Sequence, residues 1–180
     1  MANSIPSSPI YAAPAASADT PSVALAAMVN SVYSILLNSS NMLAWIQSYG
    51  GGSTAGRVLQ GYDPDRFKPS NLRDNGPVAF ISYLNDLQDG NSGKAALGDV
   101  TIEIDFLWYE DPDTAHTHIT ELNYYGKVRD ELAIKGVPLN DTYGGHISHT
   151  DGAKMPKGKR RNVEHARVQV IVVFGNNPAA

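Results

Sequence analysis

The sequence predicts an α+β fold: a small antiparallel or mixed sheet flanked by helices, with an extended N-terminal arm and a long hairpin before the last strand. Three observations carry this. Residues 99–110, "DVTIEIDFLWYE", alternate apolar and polar side chains, the period of a strand with one buried face. Two other stretches, after Thr20 and after Asp111, repeat apolar residues at helical spacing. The order of patterns is helix, strand, strand, helix, hairpin, strand, which suits helices packed on a sheet.

The chain opens with "MANSIPSSPIYAAPAASADT", residues 1–20, a Pro/Ala/Ser tract that cannot bury enough surface to fold alone. It has no basic leader and no unbroken apolar core, so it does not read as a secretory signal. Ordering about 20 such residues costs on the order of 20–40 kcal/mol, which takes roughly 800–1,600 Å² of apolar burial to offset. That is the scale of a protein–protein interface, and the arm is expected to lie on neighbouring subunits. Residues 21–180 are expected to form a single ring-forming α+β domain.

In "TPSVALAAMVNSVYSILLN", Thr20 is a good N-cap and Pro21 suits the first helical position. Leu25, Met28, Val29, Val32, Ile35 and Leu36 share one stripe. A second, shorter helix is expected in "NMLAWIQSYGGG", stopped by Gly50 to Gly52, and residues 53–76 read as an irregular connection. "GPVAFISYL" suits a strand behind Pro77, and "LQDGNSGKAALGD" is a Gly-rich loop. In the alternating strand, Val100, Ile102, Ile104, Phe106 and Trp108 face one way, and Thr101, Glu103 and Asp105 the other.

Beyond it, Asp111 is expected to cap a helix that Gly136 and Pro138 end, with Ala115, Ile119, Leu122, Tyr125 and Leu132 on its buried stripe and Val128 beside it. "HISHTDGAKM" reads as two short extended arms about an Asp-Gly turn. "VEHARVQVIVVFG" is a strand apolar on both faces, hence central or covered.

The chain has 180 residues, 42% of them hydrophobic, with a net charge of -4 and no cysteine. Disulfides, thiolate chemistry and zinc sites that need cysteine are excluded. The bulk charge does not draw the protein to nucleic acid or to an anionic membrane, and no apolar run reaches the roughly 20 residues that span a bilayer.

"DFLWYEDPDTAHTHI", residues 105–119, looks like a metal site or catalytic dyad. Asp111 and Asp113 are better explained as helix caps. His116 and His118, two apart on the expected helix, would point about 200° from each other and could not share a metal. His146 and His149, with Asp151 and Asp141 near in sequence, form a grouping that a loop could turn together, but the spacing matches no established metal signature. No G-x-S-x-G and no phosphate loop is present. No catalytic, metal or cofactor site is therefore assigned. The residues expected to contact a partner or a ring neighbour are Glu103 and Asp105 on the polar strand face, and the basic run Lys154, Lys157, Lys159, Arg160 and Arg161. That run lacks aromatic residues for base stacking, so it suits an acidic partner or passive contact with passing DNA.

The element order resembles that of the tail terminator (tail completion) proteins of long-tailed bacteriophages and related neck proteins. The residues that carry the likeness are the helix at 21–38, the Pro-led strand from Pro77, the amphipathic strand, the "EDPDTAHTHITELNYYGKVRDEL" helix and the closing "HARVQVIVVFG" strand. The likeness is one of pattern over residues 21–38 and 77–175; the arm and the segment to about residue 75 depart from it. It implies a non-enzymatic virion protein that needs no cofactor, assembled in the host cytoplasm. Copies would form a hexameric ring capping the tail tube and meeting the head-connector proteins, with loops such as 138–162 reaching the adjoining ring or tube. Another neck, connector or stopper component, or a small metal-dependent enzyme using His146, His149 and Asp151, are the alternative readings.

Overall fold

The alternating stretch around Ile102 and Ile104 becomes the middle strand of a five-stranded sheet. The computed structural model describes residues 21–61, 63–88, 97–134, 146–154 and 162–175. The elements in chain order are α1 (Pro21–Leu37), α2 (Ser40–Ser48), β1 (Val58–Leu59), α3 (Pro69–Asn75), β2 (Val78–Gln88), β3 (Leu97–Tyr109), α4 (His118–Ile134), β4 (His146–Lys154) and β5 (Val163–Gly175). This is an α+β fold with a mixed sheet of order β1-β2-β3-β5-β4. β1 runs parallel to β2, and every other neighbour is antiparallel. The expectations for the arm at 1–20 with the Thr20 cap, for Gly136, Pro138 and Asp141, and for Lys157, Lys159, Arg160 and Arg161 lie outside the described residues.

The strand period does what it must. Val100, Ile102, Ile104, Phe106 and Trp108 fall on one face with Ala79, Ile81, Ala166, Val168, Val170 and Val172, all buried. Met28, Val32, Ile35 and Leu36 of α1 close this core, together with Met42, Trp45 and Ile46 of α2 and Tyr125, Val128 and Leu132 of α4. Burying a side chain of this size stabilises by roughly 1.5–3 kcal/mol. Ser39 joins two of the helices: its Oγ accepts the Met42 N–H at 2.9 Å as an N-cap and donates to Glu131 Oε2 at 2.5 Å.

On the other face a smaller cluster of Phe67, Leu72, Val78 and Val163 sits beneath α3 and the segment before it. Residues 53–76, expected to be irregular, thus hold β1 and α3. A two-residue strand has no period of its own and exists through pairing Val58 with Ala79 and Leu59 with Phe80. Buried Arg57 locks this corner: its guanidinium donates to the Pro77 and Gly76 carbonyls and to Asn71 Oδ1. Gly51 is required nearby, because a Cβ there would lie 2.7 Å from the Asn75 carbonyl and 2.5 Å from Ile46 Cγ2.

Two expectations are corrected. α4 begins at His118 rather than after Asp111. Asp111 instead accepts the Asp113 N–H on its own side chain at 3.0 Å, and its N–H bonds the His116 carbonyl at 2.9 Å, closing a loop over 111–116. Thr117 Oγ1, not an aspartate, accepts the Thr120 N–H at 3.4 Å. The buried stripe is Glu121, Tyr125, Val128 and Leu132; Ala115, Ile119 and Leu122 are exposed. Second, "HISHTDGAK" is one strand, not two arms about a turn. Asp151 pairs with Gln169 and Gly152 with Val168 in the ladder of β4 with β5. Gly152 serves close approach there: a Cβ would lie 3.0 Å from Tyr125 Oη and 3.4 Å from Arg129 Cδ of α4.

Candidate functional site: the polar face of the sheet and two Trp-Glu-His braces

Beyond the Phe67 and Leu72 cluster, the face of the sheet opposite the core is polar. Register places Asp105 opposite both Phe80 and Arg167, and Glu103 opposite Ser82 and Gln169. Cross-strand neighbours on one face stand about 4.5–5.5 Å apart, so complementary charges pair directly. Arg167 Nε lies 2.9 Å from Asp105 Oδ1 and 3.1 Å from Glu103 Oε1, and His165 Nε2 lies 2.6 Å from Asp105 Oδ1. Burial alone would raise the Asp105 pKa. The bonds from His165 and Arg167 outweigh it and hold the carboxyl below the usual carboxylate range. The same carboxylates hold the Arg167 guanidinium above its ordinary value. Glu103 and Asp105, expected to seek a partner's charge, are thus bonded within the chain by β5. Both were placed on the correct face by strand period; their partners were missed because pairing β3 with β5 spans some 60 residues of sequence.

The acidic-histidine stretch at 105–119 has a structural use of a different kind from capping. Glu121 is fully buried on α4. It accepts the Trp45 indole N–H at 2.5 Å on one oxygen and meets His116 Nδ1 at 2.9 Å with the other. Glu110 makes a related pair on a single oxygen, Oε1, which meets the Trp108 indole N–H at 3.1 Å and His118 Nδ1 at 2.8 Å. The two indoles lie against each other, centroids 5.6 Å apart. Tyr49 stacks on the His116 ring at 3.7 Å and donates its hydroxyl to the Tyr109 carbonyl. Burial, then the Glu121 charge, pushes that hydroxyl well above the ordinary tyrosine range, so it stays protonated. The two histidines serve separate carboxylates, but because His116 lies in the loop before α4 and His118 is its first residue, not through divergence around a helix. One signal could have exposed this site: Glu121 occupies a helical position shared with Tyr125, Val128 and Leu132, and a buried carboxylate requires donors.

Among the described residues, no three His, Asp or Glu side chains converge as metal ligands. The register sets His149 opposite Ile171 and Asp151 opposite Gln169, with His146 across a shift at Ile147/His149, so the loop that was to bring the two histidines together is a strand. Lys154 ends β4, opposite Ala166. No described helix is long and apolar enough to cross a membrane.

The fold and face define an α+β domain with one helix-covered side and one polar, internally paired side on which Glu103 is buried and Asp105 and Arg167 are partly buried. No family model and no curated protein matches the chain.

Proposed function

We propose that this chain is a structural virion protein: a tail terminator whose copies form a ring that caps the tail tube and joins it to the head connector. The observation that carries the reading is the paired charge network of Glu103, Asp105, His165 and Arg167 on the polar sheet face, with Glu103 buried and the other three partly exposed. Side chains already fixed in ion pairs lose little freedom on contact, so such a face binds a neighbour at low reorganisation cost. The carboxylates of Glu110 and Glu121 are likewise engaged as braces between elements, a use that favours a rigid building block. The element order supports the specific assignment through its likeness to the terminator proteins. The ring is expected to be hexameric, with Lys154, Lys157, Lys159, Arg160 and Arg161 toward an acidic partner or passing DNA.

Negative-stain electron microscopy of the full chain, with Arg167→Ala and Asp105→Ala variants beside it, tests this. The reading expects closed rings from the parent chain and fewer from the variants at equal concentration. A chain that stays monomeric at every concentration and never joins tail tubes would overturn it. Neutralising the basic run separates a rival: loss of assembly agrees with the ring, whereas loss of DNA binding with assembly intact favours a nucleic-acid protein.

A further inference from the structure

The sheet ends on both sides in backbone that no described strand covers. β1 pairs with β2 only at Ala79 and Phe80, so the stretch from Ile81 to Gln88, the last eight of the eleven residues of β2, has β3 on one side and no described strand on the other. At the far end, the nine residues of β4 pair with β5 and with no other described strand. An uncovered edge is a row of N–H and C=O groups ready to pair with another chain, and proteins ordinarily blunt it with proline, lysine or charge. The open stretch of β2, "ISYLNDLQ", contains no proline, no lysine and one charged residue, Asp86. It also presents Tyr83 and Leu84, 45% and 46% exposed.

We infer that the open edge of β2 in one copy pairs with the edge strand β4 of the next copy, continuing the sheet from subunit to subunit. Two features select a second copy as the occupant. The lengths match, at eight and nine residues, a span of about 26–30 Å at strand rise. The directions match as well. β2 is antiparallel to β3, β3 to β5 and β5 to β4, so β4 runs opposite to β2. A neighbour in the same orientation therefore offers an antiparallel strand, and the alternation of the sheet carries across the junction. Two different edges meeting head to tail make a heterologous contact, the kind that closes into rings. The inference rests on the ring reading and names the surface that would build it.

The chain has no cysteine, so introduced thiols are the only ones present. Leu84→Cys and Ala153→Cys change exposed positions, one on each edge. The full chain carrying both is treated with a short bis-maleimide and run on a denaturing gel, with sedimentation of untreated protein in parallel. The expected result is a ladder of covalent oligomers from the double variant, monomer from each single variant, and dimer with nothing larger from the two singles mixed. Dimers from a single variant would overturn the inference, because they mark a two-fold contact of like edges. An uncrosslinked double variant that still sediments as rings would overturn it while leaving the ring reading standing. Sedimentation as monomer throughout would remove both.

Discussion

Replacing Glu121 with leucine should be among the most damaging single changes to this fold. The carboxylate is fully buried and holds two donors, the Trp45 indole N–H at 2.5 Å and His116 Nδ1 at 2.9 Å. Trp45 is itself fully buried, so leucine leaves its N–H without water as a substitute. A hydrogen bond to a charged group contributes about 1.5–3 kcal/mol, and an orphaned buried donor costs about 1–3 kcal/mol. Relief of the carboxylate's own desolvation offsets part of two such losses. The net destabilisation is therefore roughly 2–4 kcal/mol, a large share of the 5–15 kcal/mol typical of a domain. Urea unfolding reads it directly: with a slope near 2 kcal/mol/M, the midpoint should fall by about 1–2 M at unchanged slope. Glu121→Gln, which keeps shape and can still accept the indole N–H, should lose less than half as much. A double-mutant cycle with Trp45→Phe should show coupling of roughly 1–2 kcal/mol. A midpoint shift below about 0.3 M for the leucine variant, or strictly additive losses in the cycle, would refute the brace.

Other consequences are as direct. Gly51→Ala should cost about 1–3 kcal/mol in the same assay, because the Asn75 carbonyl 2.7 Å from the new Cβ is backbone and cannot swing away. Ile119→Lys, on the exposed side of α4, should change stability by no more than about 0.5 kcal/mol; a core-sized loss would reinstate the stripe expected from sequence. Asp105 is held below the ordinary carboxylate range in the folded protein, so its contribution is present above that range and drains away as pH falls through the folded pKa. Asp105→Asn should therefore lower stability at neutral pH and flatten the acid limb of a stability-against-pH curve. An unchanged acid limb would show that the pairing with His165 and Arg167 adds nothing.

How far the sequence reveals this fold depends on whether a signal is local. β3 was legible where its alternation runs unbroken from Val100 to Trp108, but its start at Leu97 and Gly98, like the end of β2 at Leu87 and Gln88, fell in the stretch expected to be a Gly-rich loop; the stripe of α1 was legible from Met28 to Leu36. α4 was legible as a helix but not in its start or its rotation. Asp111-Pro112 has the composition of a helix start, yet the bond of Asp111 N–H to the His116 carbonyl spends those residues on a loop. Rotation is set by Glu121, whose donors Trp45 and His116 come from other segments, so Ile119 and Leu122 turn outward. α3 had a readable signature in Pro69 at its first turn and Gly76, at φ 87°, just past its end. At β4 the Asp-Gly pair suggested a turn, but Gly152 is there to let α4 approach. Of the polar face, the strand period placed Glu103 and Asp105, while Arg167 and His165 become their partners only through long-range pairing.

The central claim is that copies of this chain assemble with one another through fixed surfaces into a closed ring. The mass of the intact assembly, measured by native mass spectrometry on the full chain at micromolar concentration, tests it most directly. The account expects one dominant species at a small whole-number multiple of the 19.3 kDa chain, six by likeness to the terminator proteins, with no ladder of open-ended lengths. A single monomeric species across the whole concentration range would contradict it.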